Sequence, residues 1–475
     1  MNAPMDDVVF RSAAWMANAI RAKQISSEEL VGASLERVEA VNPDLNAVIY
    51  PLAEAALAQA RQADAAQARG ESNGPLHGVP MTVKEAWETV DGPCTGGTLG
   101  RRNYRPTQDA TVVARLKAAG AIPIGLTNTP EFSFAFESDN LVYGRTNNPY
   151  DLSRTPGGSG GGGAAIIAAG GAPFEPGADM GGSIRLPSHF SGIAGIKPTK
   201  GMVPMSGYFP PSWGIPGYLS AAGPMARYVE DLKLLLPIMA GPDGIDFCIA
   251  PAPLKDPKSV AMKGLRVAMH TDNGIMKASA DTERVVRAAG KALEDAGAIV
   301  EEARPAGVEQ SFNLFLGIMG ADGGAGIRAL LGMCGTEKAH SYLENTLVTL
   351  QTISSAELMH MLASLDAWRA GMLSIFRKYD LVLSPVNAYP AVAHGIAMLP
   401  DVLPAFSYTF AYNLTGWPGA VVRCGTSTED LPIGVQALSA PWHDHVSLAA
   451  VEHLETALGG YRQPEMKPDA MIAVK

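Results

Sequence analysis

The chain has 475 residues, 47% of them hydrophobic and only 18% charged, with a formal net charge of −10 at pH 7. A sequence pI near 5.4 and a mean hydropathy of +0.06 describe an acidic protein with ample apolar material for a large core. The missing basic footprint argues against nucleic acid as a partner, which leaves a small neutral or apolar molecule as the expected substrate.

The N-terminus carries Asp6 and Asp7 and lacks the basic start and apolar run of a secretory leader, and no stretch is apolar enough to span a bilayer. The expectation is a cytoplasmic protein without a membrane partner. Ser26 followed by Glu29 predicts a capping box ahead of Leu30, Val31, Leu35 and Val38 at helical spacing. The alanine-rich stretch 53–68 reads as another helix, so residues 1–70 are expected to form a helical segment packed on the rest. Asp109 is expected to cap a helix through Val112, Val113 and Leu116 that Gly120 ends, with a strand over 121–125. The rhythm continues with a strand at 264–270, a helix at 281–296, a strand at 299–302, a helix at 355–379 and a buried strand at 381–383. Short apolar strands alternating with longer helices predict an α/β fold with a large mixed, mostly parallel sheet covered by helices on both faces. No repeat and no low-complexity linker interrupts residues 71–465, which are read as one domain carrying the N-terminal segment, a single domain overall.

Cys94, Cys248, Cys334 and Cys424 lie far apart and form no C-x-x-C pair. Buried reduced thiols are therefore expected, not a zinc site or a disulfide framework. The nine histidines form no convincing H-x-x-x-H pair, so neither a metal nor another cofactor is implied.

Chemistry concentrates in two glycine-rich stretches, Thr155-Pro156-Gly157-Gly158-Ser159-Gly160-Gly161 and Ala178-Asp179-Met180-Gly181-Gly182-Ser183-Ile184-Arg185, with Lys84 upstream. Glycines let consecutive N–H groups converge on one point, so a hydroxyl on such a turn has the surroundings of a nucleophile beside an oxyanion hole. A lysine can replace histidine as proton acceptor there. Gly157-Gly158-Ser159-Gly160-Gly161 also satisfies G-x-S-x-G, and Gly158, Gly160 and Gly163 match a dinucleotide fingerprint. Both motifs need a preceding strand, whereas Asn148 to Pro156 is turn material.

The combined segments resemble the amidase-signature hydrolases. Lys84, Gly157-Gly158-Ser159 and Gly181-Gly182-Ser183-Ile184-Arg185 stand at that family's separations, with Gly125 to Phe132, Thr146 to Tyr150 and Gly195 to Thr199 as flanking matches. The resemblance covers most of the chain and implies the amidase-signature fold, with 71–465 as the catalytic domain. It implies Ser183 as nucleophile, Ser159 as relay after a cis peptide from Gly158, and Lys84 as terminal base, which must then be neutral. Met180, Gly181, Gly182 and Ser183 would supply the oxyanion hole, Asp179 and Arg185 would support the nucleophile turn, and Asn128 would contact substrate. The sequence departs from the pattern at Gly160, where a second serine is frequent, and at Gly163.

Bacterial amidases, aryl acylamidases and urethanases of this family would cleave amides, carbamates (urethanes) or esters, and a homodimer stays open. Competing readings are the amide-releasing subunit of a tRNA-dependent amidotransferase and a non-catalytic binding scaffold. Tyr218 to Pro224 lacks the polar element expected for glutamine, and all three chemical residues are present. For the pocket, Tyr208, Phe209 and Trp213 on one proline-bounded loop and Leu399 on another are the candidate lining residues, with core packing as the alternative.

Overall fold

The computed structural model of the chain describes residues 8–466. The capping box forms as expected, with the Ser26 side chain accepting from Glu29 N and opening helix α2 (Ser27–Leu45) after a shorter α1 (Ala13–Arg21). The alanine-rich stretch is α3 (Ala53–Ala68). Between these helices lies a strand the sequence reading passes over, β1 (Val48–Pro51), which pairs antiparallel with β3 (Ile122–Thr127). On its other edge β3 pairs in parallel with β2 (Pro80–Lys84), making a three-stranded sheet.

Asp109 does not cap the helix behind it. That helix, α4 (Thr111–Ala118), starts after Ala110 without a side-chain cap. The Asp109 carboxylate instead accepts from Val90 N at 2.9 Å and pairs with Lys117 at 2.9 Å. A carboxylate offered both a backbone donor and a half-buried ammonium gains more there than from one orphan helix amide.

Eight further strands form the main sheet: β4 (Phe174–Asp179), β5 (Ala194–Lys197), β6 (Ala221–Ala226), β7 (Arg266–Met269), β8 (Ile299–Glu302), β9 (Leu381–Pro385), β10 (Gly419–Thr426) and β11 (Pro432–Leu438). Their spatial order is β8-β7-β9-β11-β10-β5-β6-β4. The α/β class and the large mixed sheet agree with expectation, but mostly parallel strands do not. β7 runs parallel to β8 and β9, and every other neighbouring pair is antiparallel. The reason is local. β10 and β11 are joined by a short turn, which permits only antiparallel pairing, whereas β7 and β8 are joined through the helix over 280–295, a crossover that allows parallel order.

The interior is built where these strands meet helices. α9 (Ala280–Asp295) and the C-terminal α15 (Asp444–Leu458) cover the sheet, burying Val286, Leu293, Val451 and Leu454 against Ile433 and Val435. Cys94 and Cys424 are buried free thiols, but Cys248 and Cys334 are partly exposed, so burial does not extend to all four. Among the described residues no helix is long and apolar enough to cross a membrane.

Candidate active site

Three backbone features bring the site together. Lys84 is the last residue of β2. Ser159 lies in the turn before α5 (Gly161–Ala168). Ser183 lies in the turn between the end of β4 and α6 (Arg185–Phe190). The two serine turns are tied directly, because Gly160 N donates to Ser183 O at 3.2 Å.

The glycines are required by crowding. A Cβ on Gly158 would meet Ala135 O at 2.5 Å, and the following peptide, Gly158–Ser159, is cis as the resemblance implies. Gly182 has φ +131°, and a Cβ there would meet Leu186 Cδ1 at 2.5 Å.

Lys84 and Ser159 are buried, and Lys84 Nζ lies 2.7 Å from Ser159 Oγ. Ser183 is 7% exposed and, with Ser159, opens onto one cavity. Among the described residues no hydrogen bond joins the two hydroxyls. Lys84 has a second partner that the sequence reading did not foresee: its Nζ donates to Tyr208 Oη at 2.9 Å. Beside the lysine strand, burial pushes the Glu175 carboxyl up to about 7, against a hydrogen bond from Thr127 Oγ1 at 2.8 Å.

The turn carrying Ser183 is held by a buried ion pair. Asp179 accepts from Arg185 Nε at 2.9 Å and Nη2 at 3.0 Å, from Asn413 Nδ2 at 2.9 Å and from Gly182 N at 2.8 Å. Burial alone would raise this carboxyl, but the Arg185 charge and the donated hydrogen bonds outweigh it and hold it at about 2. The bond from Gly182 commits that N–H to Asp179, so of the four residues expected to supply an oxyanion hole Met180, Gly181 and Ser183 remain as candidate donors.

The cavity over Ser183 has a volume of about 1260 Å³. Tyr208, Phe209 and Trp213 line it, with Phe209 buried and Trp213 standing 77% exposed. The structure does not bring the other two expected substrate contacts there. Asn128 is fully buried and spends its side chain on Gly144 O at 2.9 Å, Thr146 Oγ1 at 3.0 Å and Asn140 Nδ2 at 2.7 Å. It fastens the loop beyond β3. Leu399 is 49% exposed and lies outside the cavity lining.

The opposite wall was missed by the sequence reading. It comes from α10 (Ser311–Gly320), α11 (Ala325–Cys334), α12 (Ser341–Thr349) and the start of α13 (Ser355–Leu373), which contribute Ile318, Met319, Ile327, Leu330, Leu343 and Leu358. The available signal was composition, since these helices carry apolar residues such as Met333 and Val348 on faces that remain exposed. Charged groups at the cavity are already engaged. The Arg101 guanidinium lies between the Tyr104 and Phe209 rings, 3.8 and 3.6 Å from their centroids, and donates to Cys94 O at 3.0 Å. Among the described residues no group of three or more His, Cys, Asp or Glu is arranged to hold a metal.

Known proteins match this arrangement along its length. A fatty-acid amide hydrolase 2-B of Danio rerio is 34% identical over 488 residues, spanning 95% of this chain and 90% of its own. A glutamyl-tRNA(Gln) amidotransferase chain of Moorella thermoacetica is 32% identical, spanning 97% and 99%. The solved 6-aminohexanoate cyclic dimer hydrolase superposes with a TM-score of 0.87 at 26% identity, spanning 96% of this chain and 99% of its own. The model of the Amidase family matches residues 29–448, and the chain belongs to that family, the amidase-signature hydrolases of C–N bonds.

Proposed function

We propose that the chain hydrolyses amides with a bulky apolar aryl or alkyl part, and carbamates and esters of similar shape, through an acyl-enzyme on Ser183. The observation that carries this is the Lys84–Ser159 pair and Ser183 at the floor of a large cavity walled mainly by apolar side chains. In this reading Ser183 Oγ attacks the carbonyl carbon while its proton passes to Ser159 Oγ and the Ser159 proton passes to the neutral Lys84 amine. The oxygen that gains charge faces the free turn amides, each such donor contributing roughly 2.7–4 kcal/mol to the transition state. The same relay returns a proton to the leaving nitrogen, the C–N bond breaks, and water repeats the sequence to release the acid. Four unpaired cysteines suit a reducing, cytoplasmic setting.

The amidotransferase reading is weaker for a physical reason. Free glutamine presents an ammonium and a carboxylate, and a site for them needs unengaged polar partners. Arg101 is stacked and bonded, Asp322 already accepts from Gly324 N and Gly326 N, and the far-wall helices contribute mainly apolar side chains.

The test is a panel of chromogenic anilides, carbamates, esters and glutamine on the purified chain alone, with a serine-directed sulfonyl fluoride read by peptide mass. Turnover of bulky anilides or carbamates, and label on Ser183, are expected. Label on Ser159, or glutamine as the preferred substrate, would refute the proposal.

A further inference from the structure

Lys84 Nζ is fully buried, and its side chain has two hydrogen-bond partners, Ser159 Oγ at 2.7 Å and Tyr208 Oη at 2.9 Å. Tyr208 in turn donates to Ser133 Oγ at 2.8 Å. A phenol has one proton to give. With that proton on Ser133, the phenol oxygen faces Lys84 as an acceptor. In the form the proposed relay requires, the amine has two N–H bonds and one lone pair, and the N–H given to Tyr208 restricts the rotation of the group about its stem so that the lone pair can turn toward Ser159.

Neither partner of this chain is placed casually. Phe209 N donates to Ala86 O at 2.8 Å and Glu88 N to Gly207 O at 2.9 Å, so the Tyr208 backbone is bolted beside the residues that follow Lys84. The Tyr208 ring stands edge-on to Trp87, centroids 4.6 Å apart, and Trp87 Nε1 donates to Pro176 O of β4, the strand that leads to Ser183. Ser133 and its neighbour Phe132 both hold left-handed backbone, φ +58° and +55°, which residues with a β-carbon adopt rarely. That turn carries Ser133 Oγ to the phenol. Gly160, on the Ser159 side, contributes no side chain to the amine, and a Cβ there would meet Ser183 O at 2.7 Å.

We propose that Tyr208 is a positioning residue for the Lys84 amine, oriented by Ser133, in addition to lining the cavity. It touches the base and acts through it. The inference rests on the reading of Lys84 as terminal base given above. It couples that base to the loop that also carries Phe209 and Trp213, so a substrate seated against the loop sits against the support of the base.

The experiment uses the purified full chain with one aryl anilide and its matched aryl ester. Tyr208→Phe keeps the ring and removes the hydroxyl. Its kcat on the anilide should fall about 10–100-fold, with KM within about twofold and a smaller loss on the ester, whose leaving group needs less proton transfer. Ser133→Ala should lose activity in the same pattern to a smaller extent. In a Lys84→Ala background, adding Tyr208→Phe should change kcat no further, because an effect routed through the amine vanishes with it. Unchanged kcat with altered KM in Tyr208→Phe would overturn the inference in favour of a plain wall, and so would losses that multiply in the double variant. Failure of the underlying reading looks different: Lys84→Ala would then retain anilide turnover whatever Tyr208 does.

Discussion

Replacing Asp179 by asparagine removes the charge that holds the turn carrying Ser183, and its cost can be worked from two directions. The carboxyl sits at about 2, against an ordinary value near 3.9, a preference for the ionised form of about 2–3 kcal/mol. Removing one member of a fully buried ion pair costs more, about 3–5 kcal/mol, because the other charge is left without its counterpart. Here Arg185 keeps Asn413 Oδ1 at 2.6 Å, Gln436 Oε1 at 3.2 Å and Thr409 O at 3.2 Å. These neutral acceptors place the expected loss at the lower end, about 3 kcal/mol. An asparagine oxygen can still accept one bond, but its amide nitrogen faces the donors of Arg185 or Gly182, so the turn carrying Ser183 loosens as well. Urea unfolding at pH 7 measures the first effect, and the rate of sulfonyl fluoride labelling of Ser183 measures the second. A depressed carboxyl contributes stability that is present above its unfolded value and lost as pH falls toward 2, so acidification from about pH 4 should destabilise Asp179→Asn less than the parent. A variant within about 1 kcal/mol of the parent, labelled at the parental rate, would refute this account of the turn.

Leu330→Ala should change the ranking of bulky against small amides by roughly 1–3 kcal/mol in kcat/KM, whereas Leu399→Ala should leave the ranking intact, since only Leu330 lines the cavity; steady-state kinetics on a homologous amide series distinguishes them. Glu175 is held near 7 by burial, a raised carboxyl whose stability contribution is complete below about pH 4.5 and lost as pH rises through 7. Glu175→Gln should therefore shrink the difference in unfolding free energy between pH 5 and pH 8, by about 3 kcal/mol at most, and an unchanged difference would show that Glu175 does not titrate in that range.

The glycine-rich turns around Ser159 and Ser183 were legible in the sequence because crowding constrains their backbone. Gly158 has no room for a Cβ, and Gly182 needs both that room and a positive φ, so substitution is barred whatever the substrate. Helix ends were legible where their residues act locally, as at Ser26 and Glu29. Asp109 misled because its carboxylate found distant partners at Val90 and Lys117, and sequence carries no record of which donor wins. The parallel order of the sheet was overdrawn for a similar reason. Strand content is local, whereas the pairing of β10 with β11 depends on the turn between them.

The cavity walls follow a different rule. An apolar wall needs volume and low polarity, which Ile318, Met319 and Leu358 supply from helices far along the chain from Ser183. Many residue choices meet that need, so a wall leaves a compositional trace and no motif. Asn128 shows the converse error: a polar residue beside a motif invites a substrate role, yet a side chain with every polar atom engaged inside the protein has none left to offer. Tyr208 combines both cases. Its ring is legible as wall and its hydroxyl is not, because the acceptor that orients it, Ser133, and the amine it receives, Lys84, lie in separate segments. The same side chain thus faces the cavity with its ring and Lys84 with its oxygen. Under the proposed role of Tyr208, changes of substrate that require the loop to move are constrained by the need to keep Lys84 aimed at Ser159, which leaves the helical wall freer to change specificity than the loop from Tyr208 to Trp213.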